Sequence, residues 1–146
     1  MKHRVLYLIK DLEYIDYKTF VSSIANKKRD ISIIKEERFF IRILATGAPS
    51  CYANIIANIE KFDICISTDF PEFNFNDRFD NVKTVKRDNV LKYLRDFDVE
   101  QIDTFITDHI DDLPLMKISK QNLIVCPSEV LINQLKQNSI SFEVMN

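Results

Sequence analysis

From residue 38 onward, short apolar runs alternate with stretches of helical spacing. Phe39-Phe40-Ile41-Arg42-Ile43-Leu44-Ala45 reads as a buried strand that stops at Thr46-Gly47-Ala48-Pro49. Ile55, Ile56 and Ile59 then recur at helical spacing over residues 52–59, with Ser50 as the expected N-cap. Phe62-Asp63-Ile64-Cys65-Ile66 is the next strand, ended by Ser67-Thr68-Asp69, and the polar, aromatic stretch 71–80 suggests a hairpin or flap. Val90, Leu91 and Leu94 make an amphipathic helix of residues 88–97. Residues 104–107 and 122–126 are two further strands, stopped by Asp108 and by Pro127-Ser128. Ser128 caps a helix through Val130, Leu131 and Leu135, and residues 141–145 make an edge strand. Before position 38, residues 17–26 look helical through Phe20, Val21 and Ile24, while Ile31, Ile33 and Ile34 fit either a second helix or an extended piece.

Continuously apolar strands separated by helices of about ten residues describe a parallel sheet covered on both faces, the doubly wound α/β class. Ligands of such sheets bind outside the carboxyl ends of the strands. The informative residues are therefore those just after each apolar run: Thr46-Gly47, Ser67-Thr68-Asp69, Asp108-His109 and Pro127-Ser128.

A length of 146 residues with 46% hydrophobic positions fits one core domain over residues 1–146. One glycine stands where about ten would be usual, which excludes GxGxxG and Walker A loops. A net charge of -2 gives no global attraction to nucleic acid or to an anionic membrane. The basic cluster Lys27-Lys28-Arg29 suits a helix C-terminus. Val5 to Ile9 is too short an apolar run for a signal core or a membrane span, so a cytoplasmic protein is expected. Cys51, Cys65 and Cys126 lack CxxC spacing and read as small core residues.

Two segments carry candidate chemistry. In Thr107-Asp108-His109-Ile110-Asp111-Asp112-Leu113-Pro114-Leu115-Met116, Asp108 and Asp112 can converge on one face of the turn after a strand. Hard oxygen ligands of that kind suit Mg²⁺ held with waters and a substrate phosphate. Acidic residues at the positive end of a helix are the alternative reading. His109 could contact substrate or simply hydrogen-bond its acidic neighbours. In Leu44-Ala45-Thr46-Gly47-Ala48-Pro49-Ser50, a hydroxyl at a strand end is followed by backbone N–H groups and a helix start, the makings of a small anion site. The alternative is an ordinary strand-to-helix turn capped by Ser50.

Together these segments resemble motifs II and IV of the haloacid dehalogenase (HAD) superfamily, in its phosphoserine-phosphatase-like branch. Leu44 to Ser50 is similar to the strand ending in Thr or Ser before a small-residue turn. Asp108 to Leu115 is similar to the motif of two Asp separated by three residues and followed by Leu-Pro-Leu, and residues 122–128 resemble the next strand and its Cys-Pro-Ser turn. The likeness runs from about residue 38 to residue 146. It implies a HAD-like Rossmannoid core and a Mg²⁺-dependent phosphomonoesterase acting on a small phosphorylated substrate. By position, Thr46 and Gly47 would hold phosphate, and Asp108 and Asp112 would hold or orient the metal. The family's phosphate-binding Lys has Asn89 at the position expected from the helix start, so Lys83 or Lys86, with Lys86 preferred, would substitute from the preceding turn. The nearest candidate for the nucleophile is Asp11, if Val5 to Ile9 is the central first strand. The preferred alternative is that residues 1–36 are helical and that this strand is missing. That reading implies a non-catalytic binding or assembly module, completed by self-association or by a complementing N-terminal fragment. No stretch is long enough for a full cap domain.

Overall fold

Helix and strand boundaries follow from where apolar side chains find cover. The computed structural model describes residues 1–27, 31–72 and 78–145. Lys28 and Arg29 of the basic cluster, and the middle of the expected flap at 73–77, lie outside the described residues. The chain divides into two compact units, Met1–Asn81 and Val82–Asn146.

In the first unit, α1 (Lys2–Ile9) and α2 (Tyr17–Ile24) precede β1 (Ile43–Pro49), α3 (Ser50–Ile59) and β2 (Ile64–Thr68). Residues Val5 to Ile9 lie in α1, so this run is helical and no strand leads into Asp11. Asp16 caps α2, its carboxylate accepting the Thr19 N–H at 3.0 Å and the Thr19 hydroxyl at 2.6 Å. The residues around Ile33 take the short 3₁₀ turn Ser32–Lys35. β1 begins at Ile43 and runs on through Pro49, beyond the expected stop at Thr46. Pro49, not Ser50, is the N-cap of α3, with no side-chain cap. β1 pairs in parallel with β2 (Ile43 opposite Ile64), and the register breaks between Ala45 and Pro49. The single glycine lies in that irregular stretch of strand, without a positive φ. Gly47 thus accommodates a bulge-like irregularity, where a missing side chain is tolerated, rather than a left-handed turn. Among the described residues of this unit the buried apolar side chains are Leu6, Val21, Ala53 and Ala57.

The second unit runs α4 (Lys83–Arg95), β3 (Ile102–Thr107), the 3₁₀ turn Ile110–Asp112, α5 (Leu113–Met116), β4 (Ser119–Val125), α6 (Glu129–Gln137) and β5 (Glu143–Met145). Its strands form a parallel sheet in the order β3-β4-β5, with Thr107 opposite Ile124 and Ile124 opposite Val144. Ser128 caps α6 as expected, its hydroxyl accepting the Leu131 N–H at 3.2 Å. Met116, Ile124, Leu131 and Leu135 form a buried cluster against Phe105, Ile110, Ile140 and Phe142. α4 starts at Lys83, five residues before the expected Asp88, because Lys86 shares the buried face with Val90 and Leu94 at spacings of four. Parallel strands joined by helices in both units make this a Rossmann-like α/β protein. The single doubly wound sheet expected from sequence is present as a two-stranded and a three-stranded sheet. Among the described residues, β1 and β3 each pair with a strand on one edge only.

The three cysteines are free thiols, Cys51 and Cys65 half-buried and Cys126 exposed. Cys126 is not the core residue its type suggests. It follows the end of β4 at a φ of 43°, a left-handed conformation, and its N–H donates to the Met145 carbonyl at 2.7 Å.

Candidate functional site

The second unit gathers its polar side chains at the carboxyl end of β3. Thr107, the last residue of the strand, is buried. Its hydroxyl donates to Oδ2 of Asp112 at 2.7 Å, and the His109 N–H donates back to that hydroxyl at 3.2 Å. Oδ1 of Asp112 accepts from Nζ of Lys86 at 2.5 Å. The side chains of this pair are only 10% and 12% exposed, so the ammonium and the carboxylate compensate each other away from most solvent. Lys86 is thus held by a carboxylate that is itself held by a threonine. Around this centre lie exposed groups: Lys83 Nζ stands 3.6 Å from Asp111, and Nδ1 of His109 accepts the Asp111 N–H at 3.1 Å, capping the 3₁₀ turn.

Of the residues expected from sequence, Lys86, Asp112 and the strand-end Thr107 come together here. Asp108 is exposed on the bend directly after β3. Thr46 and Gly47 lie in the first unit, half-buried near the end of β1, where the Thr46 hydroxyl accepts the Ala48 N–H at 3.1 Å. Asp11 is exposed in the turn after α1. The expected Mg²⁺ needs carboxylates with open oxygens, one or two of them beside water and substrate. Both oxygens of Asp112 are engaged by Lys86 and Thr107. Among the described residues no group of three or more His, Cys, Asp or Glu side chains is placed to hold a metal. Neither Asp112, with both oxygens engaged, nor Asp108 alone meets that requirement.

The first unit has its own polar cluster, which the sequence did not reveal beyond marking Thr68 as a strand end. Nζ of Lys2 donates to the Gly47 carbonyl at 2.8 Å and to Oδ1 of Asp80 at 2.5 Å. Thr68 Oγ1 lies 3.0 Å from the same carbonyl and 2.9 Å from the same carboxylate oxygen. Asn81, fully buried, donates its N–H to Thr68 Oγ1 at 3.0 Å and its carboxamide Nδ2 to the carbonyls of Thr46 and Ile66 at 2.9 and 2.8 Å. The only sequence signal was positional: each cluster sits where an apolar run ends. Lys2, Asp80 and Asn81 carry no spacing that would have linked them.

Burial also shapes two thiols of the first unit. Cys51 and Cys65 are pushed above the ordinary thiol range mainly by loss of solvent, an effect opposed at Cys51 by the Tyr17 hydroxyl and at Cys65 by Ser67. Burial likewise raises Tyr17 and Tyr52.

Fold and cluster define a Rossmann-like α/β protein with polar groups gathered at strand carboxyl ends. No family model matches the chain. No curated protein matches it. Among solved structures it is similar to a protein of unknown function from Bordetella pertussis Tohama I, at a TM-score of 0.70 and 16% sequence identity over 89% of this chain. At that identity the likeness is one of fold. The chain spans 64% of the length of that protein. Among the described residues no helix is long and apolar enough to cross a membrane.

Proposed function

We propose that this chain is the phosphate-recognising part of a HAD-like phosphomonoesterase, incomplete as a catalyst on its own. The observation that carries the reading is Lys86, nearly buried and fixed by Asp112 at the end of β3. A buried ammonium with a preset direction stabilises the charge of a phosphoryl oxygen far better than a surface lysine, because little solvent screens it and little reorganisation is needed. Asp112 acts here as a positioning residue for Lys86. Thr107 sets the carboxylate in turn. The resemblance of Thr46-Gly47 and of Asp108 to Leu115 to the family's motifs supports the same reading. Asp11 follows a helix and stands in an exposed turn, a placement that favours an attacking carboxylate supplied from outside residues 1–146.

A second reading is supported by β1 and β3, each of which, among the described residues, pairs with a strand on one side only. Unpaired N–H and C=O groups along a strand invite another strand, so the chain serves as an assembly module that a partner segment or a second copy completes.

Binding of inorganic phosphate to the full chain, followed by ³¹P line broadening and calorimetry, tests the first reading. Wild type binds and Lys86→Met loses at least tenfold in affinity. If phosphate does not bind, or binds Lys86→Met equally well, the reading fails. Hydrolysis of p-nitrophenyl phosphate is absent in the isolated chain; turnover abolished by Asp11→Asn would show instead that the chain carries its own nucleophile. Light scattering that shows a stable monomer at all concentrations counts against the assembly reading.

A further inference from the structure

α1 has two unlike faces. Toward its own unit it presents Lys2, His3 and Leu6: Nζ of Lys2 donates to the Gly47 carbonyl and to Asp80 at 2.8 and 2.5 Å, His3 meets the Phe79 ring edge-on with 4.7 Å between centroids, and Leu6 is 3% exposed. On the other side Val5 is 49% and Leu8 66% exposed, and Met1 is fully exposed. Nζ of Lys10 lies over the Tyr7 ring, 4.5 Å from its centroid, so that exposed aromatic is occupied within the chain. Met1, Val5 and Leu8 are left as an apolar stripe.

The stripe has a register. Its residues follow one another at intervals of four and three, and Leu12, half-buried just beyond the helix, continues it by four. That is the alternation of d and a positions in a helix–helix seam. In the same repeat Arg4 and Asp11, seven residues apart, both take the g position beside the seam. Both are exposed, and among the described residues neither is in an ion pair.

The geometry points to self-association of the chain through this face, α1 of one copy packing antiparallel against α1 of a second. A two-fold axis between the helices sets Val5 of each copy against Leu8 of the other, and Met1 against Leu12, so the contact is self-complementary. In an antiparallel pair the g positions of the two copies flank the seam on the same side, and Arg4 of each copy meets Asp11 of the other. In a parallel pair g faces e, where Arg4 would meet the uncharged Ile9. The charges therefore select the antiparallel orientation. Two helical turns per copy bury less than the roughly 1,000 Å² of a stable interface, so the dimer is weak and depends on concentration. The contact leaves Lys2, His3 and Leu6 in place and uses no strand edge, so it is independent of the strand-pairing reading.

Sedimentation equilibrium of the full chain, over a concentration series reaching the millimolar range, tests the contact. Wild type shows a monomer–dimer equilibrium, and Leu8→Asp weakens it at least tenfold. Val130→Asp, at an equally exposed apolar position of the second unit, leaves it unchanged. Arg4→Asp alone weakens the dimer, and adding Asp11→Arg restores it, because each copy again offers opposite charges at the two positions. The proposal is overturned if wild type stays monomeric throughout, including a monomer that instead binds phosphatidylserine vesicles through Leu8. It is equally overturned if the dimer survives Leu8→Asp, as a strand-edge dimer would, if it is lost with Val130→Asp, or if the double charge exchange fails to restore it.

Discussion

The two units end their strands in the same device at different depths. In each, a lysine meets an aspartate at 2.5 Å and a threonine hydroxyl contacts that aspartate. In the first unit the Lys2 and Asp80 side chains are 38% and 34% exposed; in the second, Lys86 and Asp112 are 10% and 12% exposed. Equal distances therefore carry unequal energies. Water screens the first pair and leaves it exchangeable. The second pair has lost most of its hydration and depends on its partner.

The largest expected effect tests that contrast directly. Lys86→Met strands the Asp112 carboxylate and costs about 3–5 kcal/mol, the usual result of removing one partner of a buried pair. Lys2→Met costs less than about 1 kcal/mol, since exposed pairs contribute little after screening. Urea unfolding followed by circular dichroism measures both. Converting the buried pair together, as Lys86→Met with Asp112→Leu, recovers most of the loss. Equal costs for the two lysines would remove the distinction between the units.

The cores differ in the same sense. Leu135 is fully buried in the cluster with Met116, Ile124 and Leu131. Leu6 is buried on a helix that exposes Val5, Tyr7 and Leu8. Leu135→Ala is expected to cost about 4 kcal/mol and Leu6→Ala about 2 kcal/mol, the upper and lower parts of the range for such truncations, because a tightly packed site relaxes less around the void. Chemical denaturation of both variants decides the order. A larger loss for Leu6→Ala would make the first unit the better packed of the two.

The contrast also explains what the sequence could reveal. The second unit was legible because its strands are apolar throughout and its caps are local. Residues 122–125 announce a buried strand, and Ser128 before Val130 and Leu131 announces a helix start. The inward face of α4 was legible in principle from Lys86, Val90 and Leu94, four residues apart, yet a lysine in an apolar stripe reads as polar. Asp112 and the end of β3 were found through a motif, whereas the partnership of Lys86 with Asp112 is a tertiary contact that no local pattern encodes. In the first unit the strand was expected to stop at Thr46-Gly47, but pairing with β2 carries it on to Pro49. Lys2 and Asp80 are far apart in sequence, and folding alone brings them together.

A smaller effect separates the helix caps. Ser128 caps α6 without a titrating group, so Ser128→Ala costs about 1 kcal/mol at any pH near or below neutrality. Asp16 caps α2 with a carboxylate, and the Thr19 hydroxyl and then its N–H hold that carboxyl below its ordinary value. A lowered folded-state value means that ionisation is favoured by folding. The stabilisation is present above the unfolded carboxyl value of about 4 and is lost as pH falls through the folded one. Amide exchange should therefore speed up in α2 on acidification toward pH 3, relative to α6. Equal protection of both helices across that range would show that the Asp16 cap does not hold α2.

The smallest effect is kinetic and leaves the fold intact. Alkylation requires the thiolate and access to it. Cys126 at the end of β4 is exposed, while Cys51 and Cys65 are half-buried and burial disfavours their thiolates. Iodoacetamide at neutral pH should label Cys126 first, with the two thiols of the first unit lagging several-fold, as peptide mass mapping resolves. In strong urea the three rates should converge, because the lag arises from folding and not from neighbouring sequence. Native labelling of Cys51 or Cys65 as fast as Cys126 would mean that the first unit opens on the timescale of the reaction. In that case the two units would differ in how often they unfold as well as in how deeply they bury their charges.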